Sequence, residues 1–238
     1  MNILILGYGK MGKTIEQIAL KRGHQIPYKI DINNQETLQQ INKEEIDVAI
    51  EFSAPESAFN NIKTCLEKGI PVVSGTTGWL NKKIEIENLA KEKKGSFFYA
   101  SNYSVGVNLF FHLNKILAKI MNNYPSYEVN MEEIHHTEKK DAPSGTAITL
   151  AEGILNSLER KDRWVNREEE ESTELPILSK RIDKVPGTHT ISYISPVDTI
   201  EIKHTAHSRE GFAEGAVVAA EWLKGKTGIF GMDDMLKI

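Results

Sequence analysis

The sequence predicts an α/β protein in two parts: a doubly wound parallel sheet first, then an α+β domain with an open mixed sheet. Three observations carry this. Strand-like and helix-like segments alternate over roughly the first hundred residues. The strand-like runs are almost continuously apolar, as in strands covered on both faces. Past Asn102 the alternation gives way to one long amphipathic helix followed by strand patterns.

In order, NILILG reads as a strand and KTIEQIALKRG as an amphipathic helix, then IPYKIDI and DVAIEFS as strands. SAFNNIKTCLEKG is helical, PVVSG a strand, KKIEIENLAKEKKG helical and FFYAS a strand. Right-handed crossovers between such units place helices on both faces of one parallel sheet, with ligands at the carboxyl ends of the strands. VNLFFHLNKILAKIMNNY then predicts a long helix, YEVNMEEI a strand, and Gly145 to Leu158 a further helix. The charge-rich stretch RKDRWVNREEEESTEL has weak periodicity and reads as a solvated loop or frayed helix without chemistry. GTHTISYIS and DTIEIKHTA read as antiparallel strands joined around Pro196 and Val197, and FAEGAVVAAEWLKG as a closing helix.

The bulk numbers exclude several function classes. At 238 residues, 40% apolar and 26% charged, the chain is globular in composition, and no apolar run is long enough to span a membrane. MNILILG lacks the marks of a secretory signal. The single cysteine, Cys65, cannot form an internal disulfide and is expected to be small, buried and apolar in role, which suits a reducing cytoplasm. A net charge of -4, with Lys and Arg dispersed among acids, gives no general attraction to nucleic acid.

Gly7, Gly9 and Gly12 form G-x-G-x-x-G between the first strand and the first helix, the fingerprint of a Rossmann-type dinucleotide site. Tight turning and close backbone approach let a pyrophosphate meet the helix N-terminus. Asp31 follows Gly12 by 19 residues, where a carboxylate accepts from ribose hydroxyls and repels a 2'-phosphate, so NADH is mildly favoured over NADPH. Lys10 and Lys13 could still reach an added phosphate. Gly75, Thr76 and Thr77 are expected to line the ribose and nicotinamide, as small residues at a strand end allow.

EEIHHTEKKDAPSGTA, residues 132 to 147, concentrates the remaining chemistry. Strand alternation puts Glu133 and His135 on one face and Glu132, Ile134 and His136 on the other, so the histidines diverge. With no cysteine set and no HxxxH spacing, no metal is expected. Pro143 ends the strand and Ser144 caps a helix whose first turn holds Gly145 and Thr146. Such a helix mouth, near Lys139 and Lys140, suits a carboxylate, and a histidine with a nearby lysine can move protons near neutral pH.

On GYGKMG, DVAIEFSAPE, GIPVVSGTTGW, ASNYSVGVN, EEIHHTEKKDAPSGTA, PGTHTISY and HTAHSREGFAEGAVVAAEWL, the chain resembles the 4-hydroxy-tetrahydrodipicolinate reductases, also called dihydrodipicolinate reductases, of the diaminopimelate route to lysine. The resemblance implies NAD(P)H-dependent reduction of a cyclic dicarboxylate with loss of water, and a homotetramer assembled through the second domain's sheet. It implies His135 as proton donor and acceptor, Lys139 as proton donor, and His136, Gly145 and Thr146 as substrate contacts. Gly7, Tyr8, Gly9, Lys10, Met11, Gly12 and Asp31, with Gly75 to Thr77 and Ala100, Ser101, Asn102 and Tyr103, would touch the dinucleotide. The closing helix is implied to return to the nucleotide domain, which gives residues 1–104 with 209–238, and 105–208, with hinges near 104–106 and 208–211. The glycine loop is one residue shorter than the family's usual G-x-x-G-x-x-G, and Ile32 stands where some members carry arginine, again favouring NADH. Two rivals stay open at this point: another two-domain nicotinamide dehydrogenase, and a non-catalytic dinucleotide sensor.

Overall fold

The structure, a computed structural model, describes residues 1–167, 171–208 and 210–238. The chain runs β1 (Asn2–Leu6), α1 (Lys10–Lys21), β2 (Gln25–Ile30), α2 (Thr37–Gln40), β3 (Val48–Glu51), α3 (Pro55–Glu67), β4 (Val72–Ser74), α4 (Lys83–Glu92) and β5 (Ser96–Tyr99). There follow α5 (Val105–Met121), β6 (Glu128–His135), α6 (Gly145–Leu155), β7 (Arg163–Val165), β8 (Glu174–Arg181), β9 (Gly187–Ile194) and β10 (Thr199–Ala206). The last elements are α7 (Glu210–Leu223), β11 (Gly228–Phe230) and α8 (Met232–Leu236). Two compact units result, Met1–Val105 with Glu210–Ile238, and Gly106–Arg209. The second hinge expectation, at 208–211, includes residue 209, which lies outside the described residues.

The first unit holds a six-stranded sheet in the order β11-β5-β4-β3-β1-β2, every pairing parallel. Strand alternation sends Ile3 and Ile5 to one face and Leu4 and Leu6 to the other. On the first face they meet Ile15 of α1, Ala216 and Val217 of α7, and Met232 of α8; on the second, Ile62 of α3 and Ile86 of α4. Both faces being covered explains why these strands are apolar throughout. The chain reverses direction across the sheet between β1 and β3, so the crevice at their carboxyl ends is the switch point where ligands of such sheets bind. Cys65 is fully buried in the second face, and burial pushes its thiol up to about 12, so it is an inert core residue.

The second unit holds a mixed sheet in the order β10-β9-β6-β8-β7, with β8 parallel to β6 and β7, and β9 antiparallel to β6 and β10. Helices α5 and α6 cover one face, packing Phe110, Ala118, Leu150 and Ile154 on Val129, Ile177 and Tyr193. The alternation expected along β6 is realised: Val129, Met131, Glu133 and His135 are buried, while Glu128 and Asn130 are exposed.

The short α2, β11 and α8 have no counterpart in the sequence reading, so α7 is not the last element, and three further elements depart from it. Helix α6 stops at Leu155 because the chain turns through Asn156, although Leu158 remains fully buried beyond the turn. The charge-rich stretch is not solvated throughout: it contributes β7, and Glu174 is 2% exposed between Arg163 (2.9 Å) and Arg167 (2.6 Å). Its charges pair with one another, which hides the strand from a hydropathy pattern; residues 168–170 lie outside the described residues. Strand β8 escaped notice because Pro176 argues against an interior strand. The structure places Pro176 opposite Val165 of the short edge strand, one residue before the β6 ladder begins at Ile177. Among the described residues, no helix is long and apolar enough to cross a membrane.

Candidate functional site

In the first unit the glycine loop sits at the switch point. Gly7 has φ +94, and a Cβ there would stand 2.1 Å from the Phe52 carbonyl oxygen, while one on Gly12 would stand 2.2 Å from the Gly7 carbonyl oxygen. Only glycine permits both the left-handed turn and this approach of α1 to β1. Gly9 precedes α1 without a side-chain cap, so the helix amides at Lys10 and Met11 face the loop. A cleft of about 400 Å³ is lined by Gly7, Tyr8, Gly9, Asp31, Phe52 and Ser53. A neighbouring one of about 280 Å³ is lined by Met11, Phe52, Ser53, Gly75, Thr76 and Thr77. Asp31 is fixed at the rim, its Oδ1 accepting from the Asn33 amide at 2.8 Å. Lys29 pairs with Glu16 at 3.0 Å and lies over the Tyr8 ring, and Tyr8 donates to Glu16. The cradle therefore fits a dinucleotide: a glycine turn, an uncapped helix N-terminus and an acid at the adjacent strand end.

Beneath the cleft lies Glu51, fully buried and unmarked by the sequence reading. Its Oε1 accepts from the Ser53 amide (3.0 Å), Ser53 Oγ (2.6 Å) and Thr76 Oγ1 (2.8 Å), and its Oε2 from Ser74 Oγ (2.6 Å). One carboxyl group thus ties together the loops after β3 and β4. Thr76 is consumed by this arrangement, since its carbonyl also accepts from Trp79 Nε1 at 2.7 Å. Of the residues expected at the dinucleotide, Tyr103 has the most deeply buried side chain. It is 2% exposed, its ring packs on Phe52 and Phe98, and its hydroxyl donates to the Ser74 carbonyl at 2.7 Å. The resemblance implies Tyr103 as a dinucleotide contact, and its ring is packed into the core of the unit. Ala100 is also buried, Asn102 is half-buried and Ser101 is exposed.

In the second unit, Ser144 caps α6 by accepting from the Ala147 amide at 3.2 Å. The amides of Gly145 and Thr146 stand at the helix mouth, and a Cβ on Gly145 would meet nothing within 4 Å. His135, the last residue of β6, is 8% exposed, and His136, just past the strand, is half-buried. Lys139 sits in the connecting loop, its Nζ 2.8 Å from both oxygens of exposed Asp141, whose carboxyl it holds below the ordinary range.

Around His135 the sheet assembles a cluster that linear spacing could not show. Glu133 is fully buried; its Oε1 accepts from the Ser144 amide and Arg181 Nη2, both at 3.1 Å. Its Oε2 lies 3.1 Å from His135 Nδ1 and 3.8 Å from His189 Nε2. Burial alone would raise its pKa, but His135, Ser144 and Arg181 together hold it well below the usual carboxylate range. His189 arrives from β9 directly opposite Glu133, so it needed the strand register to be found. Donor atoms of Glu133, His135 and His189 lie within 4.8 Å of one another, and Arg181 already supplies that carboxylate with a cation.

Burial, aided by His135, pushes the His189 pKa down to about 4 from 6.5. The unfolded chain therefore binds a proton that the folded chain refuses between those values, so the stabilisation is complete above 6.5 and is lost as pH falls. Between about pH 6.5 and pH 5 the loss should be about 2 kcal/mol. In His189→Gln, urea unfolding free energies should lose that slope; an unchanged slope would contradict it.

The comparisons with known proteins agree with both halves. Residues 1–103 match the family described as dihydrodipicolinate reductase, N-terminus, and residues 106–236 match dihydrodipicolinate reductase, C-terminus. A 4-hydroxy-tetrahydrodipicolinate reductase of Christiangramia forsetii is 54% identical over 238 residues, covering 99% of this chain and 98% of the relative. One from Lawsonia intracellularis is 34% identical, covering 99% of each chain. A solved dipicolinate-bound dihydrodipicolinate reductase from Paenisporosarcina sp. TG-14 shares the fold, with a TM-score of 0.76 at 20% identity over 99% of both chains. Matched along nearly its whole length in sequence, the chain belongs to the dihydrodipicolinate reductase family.

Proposed function

We infer that this chain reduces 4-hydroxy-tetrahydrodipicolinate to tetrahydrodipicolinate, consuming NADH or NADPH and a proton and releasing water, in lysine biosynthesis through diaminopimelate. The observation that carries the reading is the grouping of His135, Lys139 and the Ser144-capped helix mouth within one short connection, in a chain that also builds a dinucleotide cradle. The bound dinucleotide supplies the hydride. Gly145 and Thr146 amides, aided by the positive end of α6, hold a substrate carboxylate, and His136, just past the end of β6, adds a contact. Lys139 donates a proton and His135 donates and accepts one. Gly7, Tyr8, Gly9, Lys10, Met11 and Gly12 hold the pyrophosphate end, and Gly75, Thr77 and the backbone of Thr76 line the ribose and nicotinamide.

Asp31 sets the cofactor preference: a carboxylate at about 4 Å from a 2'-phosphate costs about 1 to 4 kcal/mol near a protein surface. NADH should therefore exceed NADPH in kcat/KM by roughly tenfold, measured at the nicotinamide absorbance band with substrate generated by a coupled synthase. Equal efficiencies would remove the preference and leave the reaction intact; no oxidation of either nucleotide would remove the reaction. The uncovered face of the second unit's sheet forms a groove of about 410 Å³ that includes Leu178 and Ile194, and it is the surface on which a homotetramer would assemble.

A further inference from the structure

We propose that Glu133 is a positioning residue that ties the proton carrier and the anion-binding helix mouth to one buried carboxylate, and through it fixes which ring nitrogen of His135 carries the exchangeable proton. The inference rests on the reading of His135 as that carrier. Glu133 and His135 are two residues apart on β6, so the pleat places both on one face. One carboxylate oxygen takes the amide of Ser144, the residue that caps α6, together with Arg181 of β8; the other faces His135 Nδ1 at 3.1 Å. An ionised carboxylate only accepts, so the close approach at 3.1 Å favours the tautomer with its hydrogen on Nδ1. Nε2 is then the nitrogen that gains and loses a proton. Gly187 lies against that nitrogen: a Cβ added there would stand 3.0 Å from Nε2, so any larger residue would crowd it.

The charged and titratable groups around His135 come from three neighbouring elements. Arg181 of β8 is a permanent cation, His189 of β9 is neutral at pH 7 and 3.3 Å from Ser144 Oγ, and the Lys139–Asp141 pair occupies the loop. Helix position and ring tautomer are thereby indexed to the same two oxygen atoms. Displacing the carboxylate would disturb substrate grip and proton transfer together.

The test is kinetic and spectroscopic. Glu133→Gln should lower kcat about 10- to 100-fold, as loss of an orienting partner does, and move the pH limb belonging to His135 down by about one pH unit. The KM for NADH should stay unchanged. Glu133→Asp, which keeps the charge, should retain the limb. In the unmutated protein, ¹⁵N spectra of labelled histidine should show His135 protonated at Nδ1, assigned by the signal lost in His135→Gln. An unmoved limb in Glu133→Gln, or protonation at Nε2 in the spectra, overturns the proposal, and the spectra decide alone should Glu133→Gln fail to fold. Wild-type turnover in His135→Gln would instead overturn the role of His135 on which the proposal rests.

Discussion

Lys139→Met should lower turnover by at least about 100-fold, the scale on which a positioned proton donor acts, while the dissociation constant for NADH stays within twofold of the parent. Methionine matches the unbranched apolar stem of lysine up to the ε position and removes the ammonium. Lys139 is held by both oxygens of Asp141 at 2.8 Å, so its position does not depend on substrate. The loop is shaped independently of that pair by the Lys139 amide donating to the His136 carbonyl at 3.1 Å. Asp141 is exposed, so its carboxylate is solvated once the lysine is gone, and an exposed pair contributes about 1 kcal/mol or less to folding. The nucleotide cradle is built from other elements of the other unit, around Gly7, Asp31 and Gly75. Single-turnover oxidation of NADH, with NADH binding followed by protein fluorescence, separates the two quantities. Turnover above one tenth of the parent's would remove Lys139 from the chemistry.

What could be read in advance divides along a physical line. Strands β1, β3, β4 and β5 are buried on both faces, so their composition announces them; the Gly7 and Gly12 steric contacts are local, so their spacing does too. The face assignments of Glu133 and His135 followed from the pleat alone. Contacts created by pairing were invisible: His189 reaches Glu133 only through the β6 and β9 register, and Arg181 only at the end of β8. Glu51 illustrates the same limit, because an acid after three apolar residues reads as a strand end until Ser53, Ser74 and Thr76 are seen to surround it. The burial of Tyr103 is likewise invisible in the sequence. Its hydroxyl has a partner in the strand floor, at Ser74, and a polar group so satisfied can be buried without penalty.

That buried tyrosine makes Gly215 the most sensitive position of α7. A Cβ on Gly215 would stand 1.8 Å from the Tyr103 carbonyl oxygen and 2.7 Å from its carbon, so the obstacle is backbone and cannot swing aside as a side chain would. Tyr103 cannot retreat, being wedged between Phe52 at 5.6 Å and Phe98 at 5.8 Å and anchored to Ser74. The helix must move instead, and it is the element that places Ala216, Val217, Ala219, Ala220 and Leu223, all fully buried, against the sheet. Gly215→Ala should therefore destabilise the protein by about 3 kcal/mol or more, at the upper end for overpacking, despite alanine's better helix propensity. Gly211, on the same helix, meets only Ser104 Oγ at 3.9 Å, so Gly211→Ala should leave stability unchanged or raise it by up to about 1 kcal/mol. Urea midpoints for the two variants should move in opposite directions or one should not move at all. A parent-like midpoint for Gly215→Ala would mean that α7 can shift on the sheet at little cost, and that Tyr103 does not fix its distance.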